Sequence, residues 1–378
     1  EMRIGFDGKR AVQNFTGLGN YSRYVADILC HFYPENDYVL YAPKKRENKR
    51  MNLLTGQYRQ LTLAYPATSF WKKLSSLWRV WGITSQLEKE GIELFHGLSN
   101  ELPLNIHKSR IKSIVTIHDL IFLRYPQYYQ SIDRKIYTYK FRKACENADK
   151  IIAISECTKR DITRYFNIPD DKIEVVYQGC DVSFTHPVTE EKKEEVRKKY
   201  QLPDHYILNV GSIEERKNIL AAVQALPMLP QHIHIVIVGR RTGYTKKVEQ
   251  FIKDNGLGER VHIISNVPFN DLPAFYQSAE IFVYPSRFEG FGIPIIEALY
   301  SGIPVVAATG SCLEEAGGPD SIYVNPDDIT GLADAFKQIY SNSDKRKNMV
   351  EKGREFAKRF SEKQQSEEII NIYKKLIR

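Results

Sequence analysis

The chain has 378 residues, with 54 Lys and Arg against 46 Asp and Glu and a net charge of +8. That length exceeds what one hydrophobic core usually serves, so two domains are expected, and a 42% hydrophobic, 26% charged composition describes an ordinary soluble globular protein. No apolar run approaches the ~18 residues a membrane helix needs, no signal peptide opens the sequence, and the positive charge suggests an anionic partner.

Five cysteines, Cys30, Cys145, Cys157, Cys180 and Cys312, form no Cys-x-x-Cys pair. They read as reduced thiols in a cytoplasm and argue against a zinc site or a disulfide frame. Nucleic acid is not expected as a partner, because the chain lacks an RNA-binding signature, a zinc finger or a basic helix with heptads.

Strands and helices are predicted in alternation from end to end, which is the pattern of parallel sheets covered by helices. The first strand, Met2–Asp7, leads into "QNFTGLGNYSRYV". There Gly17-Leu18-Gly19 precedes a helix expected at Asn20–Phe32, so the backbone N–H groups can approach an anion. A plain strand-to-helix turn explains the same glycines. Ser22 stands where the third glycine of a dinucleotide fingerprint would be, which argues against an oxidoreductase.

A strand at Asp37–Ala42 is followed by the basic run "APKKRENKRMN" and by a helix predicted at Lys72–Glu90. Trp71, Leu74, Leu77, Trp78 and Trp81 recur at helical spacing among Lys72, Lys73 and Arg79. Residues 70–86 fit either a contact with an anionic membrane or a helix packed on a core with its charges in water. The next strands, Ile92–His96 and Ile114–His118, each end in a histidine, and Asp119 adjoins the second. A neutral imidazole there either stabilises the fold or hydrogen-bonds a polar ligand. Helices at Ile132–Asn147 and Glu156–Tyr165 and strands at Lys150–Ile154 and Ile173–Tyr177 complete the first half. A Gly-, Pro- and charge-rich break covers 177–195.

The second half restarts with strands at Tyr206–Val210, Ile233–Val238, Val261–Ile264, Ile281–Tyr284, Val305–Ala307 and Ile322–Val324. Helices are expected at Ile219–Leu226, Lys246–Asn255, Leu272–Ser278, Ile293–Tyr300, Gly331–Ile339 and Asp344–Phe360. A last amphipathic helix, Glu362–Leu376, follows Ser361 as its N-cap. The domain expectation is therefore 1–184, 185–360, and a helix at 361–378 returning to the first domain.

Open α/β sheets bind ligands beyond the carboxyl ends of their strands. In "NVGSIEERKNIL", Arg216 and Lys217 stand just before a helix, where cations oppose the macrodipole. They fit there if an anion lies between them and the helix end, or if both extend into water. In "YPSRFEGFGIPIIEALYSGIPVVA", Glu289 lies in a loop before Pro294, and Glu297 in or near the first helical turn. Carboxylates accept hydrogen bonds from vicinal hydroxyls. Cations for a diphosphate and carboxylates for hydroxyls together describe a nucleotide-sugar site.

Over nearly its whole length the chain resembles the retaining family 4 glycosyltransferases of the GT-B fold. The most specific mark is the Glu-x7-Glu element from Glu289 to Glu297, supported by "TGLGNY", "TIHDL", "ISECTKRDI", "VVYQGCDVSF" and "VGSIEERKN". The resemblance implies an α/β architecture of two doubly wound Rossmann-like domains facing a central cleft. It also implies a diphosphate held by Arg216 and Lys217 without metal, and the Gly17/Gly19 turn approaching the phosphates. Ser212, Gly290, Phe291 and Gly292 would help bind the donor. Glu289 would bind sugar hydroxyls, Glu297 the ribose, and His118 a hydroxyl of the transferred sugar. No cofactor is implied beyond the donor substrate.

The implied donor is GDP-mannose first and a UDP-sugar next. The acceptor would be a glycan or a lipid-linked glycan in bacterial surface polysaccharide synthesis, at the inner face of the plasma membrane. The absence of any Asp-x-Asp agrees with metal-independent chemistry. An epimerase or hydrolase of the same fold and a non-catalytic nucleotide-sugar-binding protein are the competing readings. "VGRRTGYT" and "TGSCLEEAGG" depart from the family's usual pattern. Glu289→Ala and Lys217→Ala are each expected to abolish transfer and leave the fold intact.

Overall fold

The computed structural model describes residues 1–378. They form two compact units, Glu1–Gln178 together with Glu362–Arg378, and Gly179–Ser361. The chain enters the second unit earlier than residue 185. Phe184, on the short turn Val182–Thr185, is buried edge-on against Phe269 and Tyr276 of that unit. The expected break also contains most of a helix, Glu190–Tyr200. Thr189 caps it, acids fill its first turn and Arg197, Lys198 and Lys199 its last, as the helix dipole favours.

The first unit holds seven parallel strands: β1 (Arg3–Asp7), β2 (Asp37–Tyr41), β3 (Leu61–Ala64), β4 (Leu94–Gly97), β5 (Lys112–Ile117), β6 (Lys150–Ala153) and β7 (Ile173–Val175). Their order is β3-β2-β1-β4-β5-β6-β7. The central strands are buried nearly throughout, as parallel strands covered on both faces must be. The sequence reading missed β3, a half-exposed edge strand of four residues with little pattern to detect. The Glu362–Ile377 helix belongs to this unit. It buries Ile369, Ile370, Ile372 and Tyr373, and Tyr24 of the Gly17–Phe32 helix donates its hydroxyl to Gln365.

The Lys72–Glu90 expectation is corrected. Helical turns at Ser69–Lys73 and Ser75–Leu77 lead into a π-helical turn, Trp78–Gly82, and then the Ile83–Lys89 helix. The wide turn rotates the face, so the three tryptophans do not form one stripe. Trp78 is fully buried and donates its indole N–H to Gln86 at 3.0 Å, whereas Phe70, Leu74, Leu77 and Trp81 are exposed. Arg79, expected among the surface charges, is buried in ion pairs with Asp7 and Glu101.

The second unit holds six parallel strands: β8 (Tyr206–Val210), β9 (His234–Val238), β10 (Val261–Ile264), β11 (Ile281–Tyr284), β12 (Val305–Ala308) and β13 (Ile322–Val324). All six lie within one residue of the strands expected from the sequence, and their order is β10-β9-β8-β11-β12-β13. In each sheet the chain builds outward and then crosses back, so the order reverses between β1 and β4 and again between β8 and β11. Such switch points leave a crevice at the strand ends. No helix is long and apolar enough to cross a membrane.

Candidate functional site

In the second unit β8 and β11 lie side by side, with Ile207 opposite Ile281. The loops that follow them therefore start together at the switch point. After β8 the chain passes Ser212, which is partly buried, and reaches Arg216-Lys217-Asn218 before the Ile219–Ala225 helix. Asn218 takes a left-handed conformation with φ of 58° and donates its side-chain amide to Pro285 O at 3.1 Å and Pro326 O at 2.9 Å. The Arg287 N–H donates to Arg216 O at 2.9 Å. Asn218 thus fastens the cationic turn to the end of β11, a role the sequence reading did not give it.

The two cations and Glu289 form one network. Lys217 Nζ donates to Glu289 Oε1 at 2.6 Å and lies 3.3 Å from the Tyr284 hydroxyl. Arg216 Nη1 donates to Phe288 O at 2.6 Å and stands 3.3 Å from the same Oε1. Ser286 Oγ at 2.9 Å and the Tyr284 hydroxyl at 3.2 Å also donate to it. All of these contacts fall on Oε1, and Oε2 accepts no hydrogen bond within the chain. Burial pushes the Glu289 carboxyl upward, but Lys217 and Arg216 outweigh it and hold its pKa below the usual carboxylate value. Burial likewise works against the Lys217 ammonium, and Glu289 overcomes this and raises its pKa. The pair stays ionised across the neutral range.

These side chains are only 16% (Lys217) and 13% (Glu289) exposed. That changes one expectation, because truncating either partner strands a buried charge and costs stability as well as chemistry.

Glu297 sits in the Ile293–Ser301 helix, partly buried, and Tyr276 donates its hydroxyl to Oε2. Burial pushes this carboxyl up to about 7, against the Tyr276 hydrogen bond and with help from Asp181. Gly292 begins the helix at φ of 118°, a backbone conformation closed to most side chains. Phe291 is buried against Phe360, so only its backbone can meet a ligand, as is true of Gly290. Sequence reasoning missed Cys312. Its buried thiol donates to Glu289 O at 2.8 Å and Phe291 O at 3.3 Å, and so holds the loop that carries Glu289. No three His, Cys, Asp or Glu side chains gather as a metal ligand set.

In the first unit Gly17 and Gly19 lie inside the helix Gly17–Phe32, not in a loop before it. The Gly19 N–H points at Asn14 Oδ1 at 3.3 Å, and a Cβ on Gly19 would come 2.0 Å from Asn14 O. Gly19 therefore permits close packing against the Asn14 turn, which leaves Gly17 and Leu18 as the helix-start N–H groups facing outward from the ladder. Buried Arg23 fixes the same turn through Ala11 O and Asn14 O, both at 2.7 Å.

The two histidines separate in role. His96 is fully buried, with Nδ1 2.5 Å from the Tyr373 hydroxyl and Nε2 2.7 Å from Thr116 Oγ1. It ties the last helix to the sheet. His118 Nε2 donates to Leu98 O at 2.8 Å, which fixes the tautomer and leaves Nδ1 with a lone pair. Burial lowers its pKa to about 4 despite that bond, so the ring is neutral at pH 7.

Comparisons with known proteins bear on the family and the fold. Residues 22–184 match the model described as "Glycosyltransferase Family 4", and residues 190–356 match "Glycosyl transferases group 1". The chain is 30% identical to O-antigen chain mannosyltransferase B of Escherichia coli, over 75% of its own length and 74% of that protein. It is 29% identical to O-antigen chain mannosyltransferase RfbU of Salmonella typhimurium, over 60% of each. A solved glycosyltransferase from Rickettsia africae shares the fold, with a TM-score of 0.81, 20% identity, and coverage of 100% of this chain and 99% of that one.

Proposed function

The chain belongs to the family 4 glycosyltransferases, and from that premise we propose that it transfers a hexose, mannose before others, from a nucleotide diphosphate sugar to a growing surface polysaccharide or its lipid-linked precursor. The observation that carries the proposal is the pairing of Lys217 and Arg216 on one oxygen of Glu289, with the other oxygen unbonded, at the β8/β11 switch point. The cations suit a leaving diphosphate, and the open oxygen suits a sugar hydroxyl.

In this reading the site accelerates transfer by preorganised charge. Lys217 and Arg216 stabilise the negative charge that grows on the diphosphate as the glycosidic bond breaks. Because Glu289 keeps Lys217 protonated, no proton has to be acquired before that charge develops. Glu289 Oε2 accepts a hydroxyl of the sugar, Glu297 accepts those of the ribose, and neutral His118 accepts a sugar hydroxyl at Nδ1. The Gly17 end of its helix offers N–H groups to phosphate, and the Ser212, Gly290, Phe291 and Gly292 backbone lines the donor. Front-face substitution with retention, in which the leaving phosphate takes the acceptor proton, requires no metal and no covalent enzyme intermediate.

A thermal-shift panel of GDP-, UDP-, ADP- and dTDP-sugars tests the donor. GDP-mannose at about 100 times its Kd should stabilise by about 2.7 kcal/mol, and a panel without any shift would sink the proposal. Full transfer in excess chelator, with the product anomer read by NMR, tests metal independence and retention. Donor consumption at the same rate with and without a glycan acceptor would point to a hydrolase.

A further inference from the structure

A cavity of about 330 Å³ opens in the first unit, and none of its lining residues belongs to the Lys217–Glu289 network. Its walls are apolar and include Val80, Ile83, Leu102, Leu104, Ile132 and Ile136. Four of the five charged groups that reach it neutralise one another. Arg79 pairs with Asp7 at 2.5 Å and Glu101 at 2.7 Å, and Lys140 takes the other Glu101 oxygen at 3.2 Å. Burial pushes Glu101 up, but these cations hold its pKa at about 2. Two anions and two cations cancel there, and the one charge left over is Lys135, which also borders a second cavity.

The Ser131–Asn147 helix forms one wall, and it is unusual for its exposed face. Ile132, Ile136 and Tyr139 are 65%, 45% and 54% exposed, at the spacing that places them along one side. On the other flank of this helix lies a second cavity of about 320 Å³, lined by Ser131, Arg134, Lys135, Thr138 and Arg142. There Arg134 Nε is buried without a hydrogen-bond partner, which is costly unless a ligand meets it. Lys135 and Tyr139 line both cavities.

We infer that the two cavities form one site for a lipid phosphate, with its hydrocarbon chain in the apolar cavity and its phosphate between Arg134, Lys135 and Arg142. The inference rests on the glycosyltransferase reading and names the anchor of its acceptor, a glycan carried on a phosphorylated lipid. An apolar cavity bordered by a basic cleft with an unmet buried donor matches an amphiphile with an anionic head. A free glycan offers nothing to the apolar wall, and a neutral lipid nothing to Arg134.

Isothermal titration of the full chain with decyl phosphate, below its micelle concentration, tests this. Decyl phosphate should bind at least tenfold more tightly than inorganic phosphate or neutral decyl maltoside. Ile136→Glu and Lys135→Glu alter exposed side chains, so each should keep the wild-type Tm and GDP affinity while losing at least tenfold in decyl phosphate affinity. Equal binding of decyl phosphate and inorganic phosphate would overturn the inference, as would wild-type affinity in Ile136→Glu. GDP titration of the same samples separates the two ideas: lost nucleotide binding counts against the donor reading, and lost decyl phosphate binding counts against this site.

Discussion

The two switch points carry the same kinds of side chain in opposite arrangements. Between β1 and β4, Arg79 divides its guanidinium between Asp7 and Glu101, and Lys140 satisfies the remaining Glu101 oxygen. Between β8 and β11, Lys217 and Arg216 crowd onto a single oxygen of Glu289 and leave the other open. A buried ion pair must recover a large desolvation cost. The first network recovers it internally, whereas the second keeps acceptor capacity unused. Completeness of pairing therefore separates a structural charge cluster from a ligand-reading one, even where burial and residue types agree.

Of the two networks, the closed one should cost more stability when broken. Arg79→Leu strands two buried carboxylates and should cost about 3–5 kcal/mol, seen as a lowered urea midpoint, with GDP affinity of the folded protein unchanged. A stable Arg79→Leu variant that fails to bind nucleotide would reverse the assignments of the two networks. Breaking the open network should instead fall mainly on the reaction. Lys217→Met and Glu289→Gln should each lower kcat by about 10²–10³-fold, the size seen when one preorganised donor is removed. Because the two side chains touch, their effects in the double variant should not add, and a double-mutant cycle on kcat checks this. Some Tm loss should accompany both, contrary to the intact fold expected from sequence.

Glu297 sharpens the contrast through pH. Its folded pKa of about 7 lies above the unfolded value of 4.5. Between those values the folded state holds the extra proton, so stability falls as pH rises through about 4.5 to 7 and stays lower above it. Glu297→Gln should therefore match wild type near pH 5 and be more stable at pH 8, by up to about 3 kcal/mol at about 1.4 kcal/mol per pKa unit. The same variant should bind GDP more weakly at pH 8, where the wild-type carboxylate is ionised and accepts hydroxyls. Melting curves and GDP titrations at the two pH values measure both. A uniform stability difference across pH would exclude the raised carboxyl.

The sequence made the strand positions of the second unit and the Arg216, Lys217, Glu289 and Glu297 set legible, because buried parallel strands are apolar runs and motif residues follow them directly. It did not reveal that Lys217 and Glu289 bond to each other, since they are 72 positions apart and meet only through the β8–β11 pairing. Asn218 and Cys312 were hidden for a related reason: each acts on a distant backbone carbonyl, which leaves no spacing pattern. Gly19 was legible as a necessary glycine but not as a packing glycine, because the atom it makes room for belongs to the Asn14 turn. The edge strand β3 and the π-helical turn were missed because neither repeats long enough to show a period.

That π-helical turn yields the smallest expected effect and the clearest separation of neighbours. Three residues apart, Trp78 is wholly buried and Trp81 is 49% exposed. Trp78→Ser removes a core ring and its bond to Gln86, and should cost about 3–5 kcal/mol. Trp81→Ser should stay within about 0.5 kcal/mol of wild type, as exposed substitutions usually do. If Phe70, Leu74, Leu77 and Trp81 contact an anionic membrane beside Lys72 and Lys73, Trp81→Ser should reduce co-flotation with phosphatidylglycerol vesicles several-fold and leave binding of soluble GDP unchanged. Equal flotation of Trp81→Ser and wild type would remove the 70–81 segment from the membrane contact. Trp78→Ser is no substitute in this test, because any loss of flotation it showed would follow from unfolding.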